Sequence, residues 1–370
     1  MKLVKANYNN CITNLSCSIQ KHFGITPKHD TIQEVDNLLA NNKKNVIVVL
    51  CDGLGSNLIR KILPEDSFLR KNFIKDITSI MPATTTSSTS SFLSGLNPNE
   101  HLWLGWDMNV REINKTVTMF TNCEMGYSFQ AEKYNVANKF YGYNDIITQI
   151  KQNGYTAKLI SPFSNKFDSY NENNLKGMIR KILWQSKLPK KKFVYGYYVN
   201  PDSYMHKHGT NSEITINNIK MINNELEKLA HKLKNSILIV TADHGHINSH
   251  SILLSDYPDF LDTLEREMWQ EPRLCAFDVK SGKEKEFEYL FNKYFGNYFI
   301  LKTKSQIIEE GYFGVGKPSQ KFVNQLADYH GIAIADKYLT IDNYASNKYL
   351  SMHAGMTEDE MIIPLIAVVK

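Results

Sequence analysis

With 370 residues, 42% of them apolar and 22% charged, and a net charge of +5, the chain has the balance of an ordinary globular protein. That balance excludes a disordered chain and is too mildly basic to mark a nucleic-acid binder by itself. The length favours a core plus a sizeable insertion over one compact unit.

No run approaches the roughly 18 apolar residues of a membrane span, and Met1–Asn7 lacks the apolar centre of a leader, so a cytoplasmic protein with no membrane partner is expected. Cys11, Cys17, Cys51, Cys123 and Cys275 are scattered without CxxC spacing, which argues against a disulfide framework or a thiolate zinc site. In chain order, the expected strands are Val46–Cys51, Ala157–Ser161, Phe193–Val199, Ser236–Thr241 and Ile362–Val369. Cys51 reads as filler of the first. Asn144–Gln152 and Ile214–Leu233 repeat apolar residues at helical spacing; Ile219, Ile222, Leu226, Leu229 and Leu233 line one face. Strands alternating with such segments indicate an α/β fold with a mostly parallel sheet. The densest basic cluster, Lys187–Lys192, reads as a solvated loop that can help draw in an anionic substrate.

Residues 247–350 differ in texture, with clustered aromatics, mixed charge and a hairpin-like Val279-Lys280-Ser281-Gly282. The glycine-rich Gly311–Pro318 lacks both Walker A spacing and a preceding strand, so it is not read as a phosphate cradle. The expected organisation is a core begun by residues 1–246, an inserted cap over 247–350, and a core completed by 351–370.

Five segments can carry chemistry. Asp52 follows the first strand, where an acid serves equally well as a turn residue or a helix cap. The hydroxyl-rich tract Thr84–Ser91 sits between Met81-Pro82-Ala83 and Phe92-Leu93-Ser94-Gly95. It could simply cap a helix, but a helix starting after Thr85 would aim free N–H groups and a positive dipole end at a phosphate. Asp202 and His206 are one helical turn apart, with His208 nearby and not required. Asp243-His244 ends the run Ile237–Thr241, and Gly245 permits the turn both side chains need to reach one ion. His353 precedes the last strand. An open parallel sheet gathers the carboxyl ends of its strands into one crevice, so three acids and three histidines there can build two metal sites. Mixed His/Asp ligation suits Zn²⁺, with Mn²⁺ or Fe²⁺ as alternatives.

The ordered set resembles the alkaline phosphatase superfamily: Asp-Gly-x-Gly from Asp52, Pro-x-x-Thr over Pro82–Thr85, Asp-x-x-x-His-x-x-Gly over Asp202–Gly209, Asp-His-Gly over Asp243–Gly245, and His-x-Gly from His353. Within it, the pattern is most similar to type I phosphodiesterases/nucleotide pyrophosphatases, over roughly Asn45 to Val369. The resemblance implies a three-layer α/β/α sandwich with a mostly parallel central sheet and a smaller α+β cap. It implies Thr85 as nucleophile, Asp202, His206 and His353 on one divalent cation, and Asp52, Asp243, His244 and the Thr85 oxygen on another. The implied reaction is hydrolysis of phosphodiester or pyrophosphate bonds through a phospho-threonine. Nucleotides are the expected small-molecule substrates, and no nucleic-acid polymer is expected.

One position departs from that family. Where relatives place a phosphate-binding Asn about twenty residues past the nucleophile, this chain has Trp106, whose indole N–H can donate one hydrogen bond, or whose ring can form a wall or core contact. Two other enzyme readings share the scaffold, a phosphomonoesterase and a phosphonoacetate-type phosphonate hydrolase, although no Arg lies near the nucleophile tract to clamp a monoester. A sulfatase lacks its Cys-x-Pro-x-Arg motif here, and the span from Thr85 to Pro201 is short for a mutase insertion. The non-enzymatic alternative is an inactive metal- or phosphate-binding protein.

Overall fold

The computed structural model describes residues 1–163, 170–171, 174–341 and 349–370. Its main sheet has six strands: β1 (Asn45–Cys51), β2 (Phe73–Thr78), β3 (Thr156–Ile160), β4 (Lys192–Tyr198), β5 (Ser236–Thr241) and β6 (Ile362–Val369), in the spatial order β2-β6-β5-β1-β4-β3. β3, β4, β1 and β5 run parallel, whereas β6 is antiparallel to both β5 and β2. Every residue of β1 and β5 is buried, which requires helices over both faces of the sheet and explains their unbroken apolar runs. β2, which no sequence signal marked, is half-buried over most of its length and carries Lys75 and Asp76.

Register decides where the chemistry falls. Leu50 of β1 pairs with Tyr197 of β4 and with Thr241 of β5, so the three carboxyl ends are level and Asp52, Asp202 and Asp243 all emerge at one rim. Ile366 of β6 pairs with Val240, and β6 runs the opposite way. Its amino end, preceded by His353, is thereby delivered to the same rim.

The loops there are interlocked. Asp52 N–H donates to the Tyr198 carbonyl at 2.9 Å, and Asp202 N–H to the Asp52 carbonyl at 3.0 Å. Such close approach depends on glycine. A Cβ on Gly245 would lie 1.9 Å from the Asp359 carbonyl oxygen, and one on Gly53, whose φ is +73°, would lie 3.1 Å from Asp202 Cα.

A second sheet has seven antiparallel-paired strands. Four of its strands, Trp269–Glu271, Leu274–Phe277, Phe299–Thr303 and Tyr329–Ala333, come from the span expected as the cap, of which 342–348 lie outside the described residues. The other three, Asp107–Val110, Lys115–Thr118 and Cys123–Glu124, come from just after the hydroxyl tract, so this layer is not built from 247–350 alone. The aromatics of that span, Phe260, Phe277, Phe287 and Phe291 among them, pack on one another rather than facing a ligand. Val279–Gly282 is not a hairpin but the turn into the Glu284–Phe295 helix, and Gly314 packs against Asn97 and Asn99. Lys192 is likewise not a solvated attractor. It is buried at the start of β4, its Nζ donating to the Gln185 and Pro189 carbonyls at 3.1 and 2.9 Å, at the opposite end of that strand from the acids. Cys51 is buried filler as expected, and none of the five cysteines is bridged. Among the described residues, no helix is long and apolar enough to cross a membrane.

One fully buried ion pair ties the two layers. Arg273, between two strands of the second sheet, meets both Glu360 carboxylate oxygens at 2.6 and 2.8 Å and also donates to the Ala335 and Lys337 carbonyls. Glu360 in turn accepts from Gly355 N–H and the Thr357 hydroxyl, and its carbonyl accepts from Gly245 N–H. The loops bearing His353 and His244 therefore share one anchor. Removing the guanidinium in Arg273→Ala leaves the Glu360 charge buried without a partner, for an expected loss of about 3–5 kcal/mol in denaturant unfolding. A loss below about 1 kcal/mol would contradict this anchoring role.

Candidate active site

Each expected site residue owes its place to the end of a secondary-structure element. Asp52 is the first residue past β1, and Asp202 is the first residue of the Asp202–His208 helix, which puts His206 one turn along. Thr85 is the first residue of the Thr85–Ser94 helix, so the helix starts at Thr85 rather than after it. Gly95 closes that helix in a left-handed conformation at φ 72°.

The structure brings these side chains into two adjoining groups. In the first, Thr85 Oγ1 lies 3.5 Å from Asp52 Oδ2 and 3.3 Å from His244 Nε2, while His244 Nε2 lies 3.3 Å from Asp52 Oδ1 and 3.8 Å from Asp243 Oδ2. In the second, Asp202 Oδ1 is approached by His206 Nε2 at 3.4 Å and by His353 Nε2 at 3.8 Å. The His244 and His353 rings stack with centroids 3.8 Å apart, joining the groups.

Two further contacts escaped the sequence reading. His246 Nε2 lies 2.5 Å from Asp202 Oδ1, and donor atoms of Asp202, His244, His246 and His353 all fall within 4.8 Å of one another, a tighter set than one that includes His206. The Tyr197 hydroxyl donates to Asp52 Oδ2. The spacing of His244 and His246 was the available signal, because residues two apart on extended chain share a face.

Three carboxyl groups are concentrated here. Burial, with the neighbouring Asp243 and Asp202 charges, pushes the Asp52 carboxyl well above the usual carboxylate range, and burial also raises Asp243. Asp202 shifts the other way: burial disfavours its charge, but the surrounding imidazoles, His206 foremost, lower its pKa. Burial pushes His353 down, which keeps its ring neutral. Asp52 Oδ1 and Asp243 Oδ2 are buried with no hydrogen-bond donor reaching either. Buried carboxylate oxygens are ordinarily paired, so two orphans in one group are what a cation site would leave.

The histidines are also oriented for ligation. Nδ1 of His206 faces the Ser351 carbonyl at 2.9 Å, that of His353 the Ala83 carbonyl at 3.1 Å, and that of His244 the Gly245 carbonyl at 3.0 Å. A carbonyl can only accept, so each ring carries its proton on Nδ1 and turns the Nε2 lone pair toward the acids. By these tests, the residues present fit divalent cations.

A cavity of about 400 Å³ opens onto this chemistry, bounded by Asp52, Thr85, Asp202, Tyr197 and an aromatic wall of Trp106, Phe120 and Phe163. Ser203, Tyr204, Lys207 and His208 of the Asp202–His208 helix also line it. Trp106 is therefore at the cavity rather than in the core. Its backbone N–H is taken by Glu271 at 2.7 Å, and its ring meets Phe120 edge-on at 5.4 Å.

Comparison with known proteins bears on the fold and on the family. Murine ectonucleotide pyrophosphatase/phosphodiesterase 5, in an inactive form bound to AMP, has 20% identity, 87% of each chain covered and a TM-score of 0.66. The human enzyme of the same name gives the same identity, coverage and score. At that identity the likeness establishes the fold, an alkaline phosphatase-like α/β architecture. No curated protein sequence matches the chain. Residues 46–294, well over half of the chain, match the family model described as type I phosphodiesterase / nucleotide pyrophosphatase. The span holds Asp52, Thr85, Asp202, His206, Asp243 and His244, and the chain belongs to the type I phosphodiesterase/nucleotide pyrophosphatase family, enzymes that hydrolyse phosphodiester and pyrophosphate bonds.

Proposed function

We propose that the protein is a two-metal hydrolase of small phosphodiesters or pyrophosphates, nucleotides foremost, with Thr85 as its nucleophile. The observation that carries this reading is the place of the Thr85 hydroxyl: at the start of a helix, in the lining of the cavity, within 3.5 Å of both Asp52 and His244. Asp52, Asp243, His244 and the Thr85 oxygen would hold one cation, and Asp202, His206 and His353 the other, most simply zinc. Bound there, the ions would lower the pKa of the threonine hydroxyl and neutralise charge on the leaving oxygen.

The protein's own groups do the rest. Thr85 attacks phosphorus in line, the bond to the leaving alcohol or phosphate breaks, and the resulting phospho-threonine is opened by water from the opposite side. The positive end of the Thr85–Ser94 helix faces the nonbridging oxygens. Tyr197 holds Asp52 in place by hydrogen bond. The wall of Trp106, Phe120 and Phe163 supplies flat apolar surface for an organic group esterified to the phosphate, such as a base. Among the described residues no arginine borders the cavity, which Lys207 lines, and this favours a diester over the more highly charged monoester.

Thr85→Ala is expected to cut turnover at least about a thousand-fold with the circular dichroism spectrum unchanged. Unimpaired turnover would rule out the assigned nucleophile. Chelation is expected to abolish activity, with zinc or manganese restoring it, and full turnover in metal-stripped protein would contradict the reading. Initial rates on the p-nitrophenyl ester of thymidine monophosphate should exceed those on p-nitrophenyl phosphate; the reverse order favours the monoesterase alternative. Trp106→Ala should raise KM for the nucleotide ester roughly two- to tenfold if the indole stacks on the organic group.

A further inference from the structure

His246 has no part in the ligand set assigned above, yet it makes the shortest imidazole–carboxylate contact of the second group, 2.5 Å from Nε2 to Asp202 Oδ1. Its side chain is fully buried, and its ring packs against those of His206 and His353 with centroids 4.8 and 5.1 Å away. It also lies against Gly53, where a Cβ would come within 3.0 Å of its Cδ2. A residue held this closely from several sides has little freedom to swing away.

Distance separates its role from that of its neighbours. Two donors bound at about 2.0–2.1 Å to one tetrahedral zinc stand about 3.3 Å apart. His206 Nε2, 3.4 Å from Asp202 Oδ1, matches that separation, and His353 at 3.8 Å needs only a small approach. His246 at 2.5 Å is too close to share an ion with that oxygen, and the contact is instead a short, direct N–H···O hydrogen bond.

The tautomer points the same way. Nδ1 of His246 faces the hydroxyl of Ser351 at 3.0 Å, not a carbonyl. A hydroxyl can donate, which leaves the His246 proton on Nε2, aimed at Asp202. The same Ser351 offers its carbonyl to Nδ1 of His206, so one buried residue sets His206 to bind through its lone pair and His246 to donate a proton.

We propose, resting on the two-metal reading, that His246 is the positioning residue of the Asp202 metal site. By donating Nε2–H to Oδ1 it fixes the carboxylate and so sets how tightly that site holds its cation. Outer hydrogen bonds of this kind are worth about 10–100-fold in metal affinity.

The test uses the full-length protein and two metals as probes. In zinc competition against a chelator, His246→Ala should weaken one of the two zinc sites about 10–100-fold and leave the other unchanged, while His246→Gln, which keeps an amide donor, should recover most of the loss. In cadmium-113-loaded wild-type protein, ring protons of His206 and His353 should couple to one cadmium and those of His244 to the other, with His246 coupled to neither. Coupling from His246 would make it a ligand and overturn the proposal, as would unchanged zinc affinities in His246→Ala. Should His246→Ala not fold, the glutamine variant and the wild-type spectrum still decide. Failure of the wild-type protein to bind either metal would instead defeat the two-metal reading on which the proposal stands.

Discussion

Three carboxylates, Asp52, Asp202 and Asp243, are brought within reach of one another in a pocket largely sealed from water, and no lysine or arginine is paired with any of them among the described residues. Like charges a few ångströms apart in a low dielectric repel by several kcal/mol, far more than neutral hydrogen bonds can offset. The raised pKa of Asp52 and the two orphaned carboxylate oxygens express that debt. Divalent cations would meet it, and in the proposed reaction they would then determine what the adjacent Thr85 hydroxyl can do. In that reading the proposed nucleophile, the neutral imidazoles and the aromatic wall of the cavity all take their roles from this concentration of negative charge.

The fold bears the cost through geometry. Level registers of β1, β4 and β5 set the three acids side by side, and the reversed β6 adds His353 from the other direction. Gly53, Gly55 and Gly245 let the loops approach more closely than any side chain would allow. The Arg273–Glu360 pair, itself fully buried, holds the two histidine-bearing loops against the second sheet. Stability of the rim and arrangement of the site are thus one problem, and a lesion in either should be felt in the other.

Much of this was legible because it depends on short-range pattern. The buried strands read as apolar runs, and Asp52 and Asp243 come within two residues of the ends of theirs, so the parallel-sheet rule alone places them together. Asp202 and His206 are tied by a single helical turn. What escaped depends on tertiary context. β2 carries Lys75 and Asp76 and spends most of its length half-buried at the sheet edge, so it offers no apolar run. The strands over 107–124 are short, two to four residues each, and join a sheet whose other members lie some 150 residues later; no local signal announces such pairing. Lys192 looked like part of a solvated charge cluster because composition does not show that its stem is buried and its ammonium caps carbonyls. His246 lies just past the Asp-His-Gly triplet, and only the fold shows that its ring reaches Asp202.

The central claim is that these side chains grip two cations beside Thr85. Anomalous diffraction at the zinc edge from crystals of the zinc-loaded protein tests it most directly. The account predicts two peaks, one among Asp52, Asp243, His244 and Thr85 and the other among Asp202, His206 and His353. No peak at this rim, or a single ion lying away from Thr85, would contradict it.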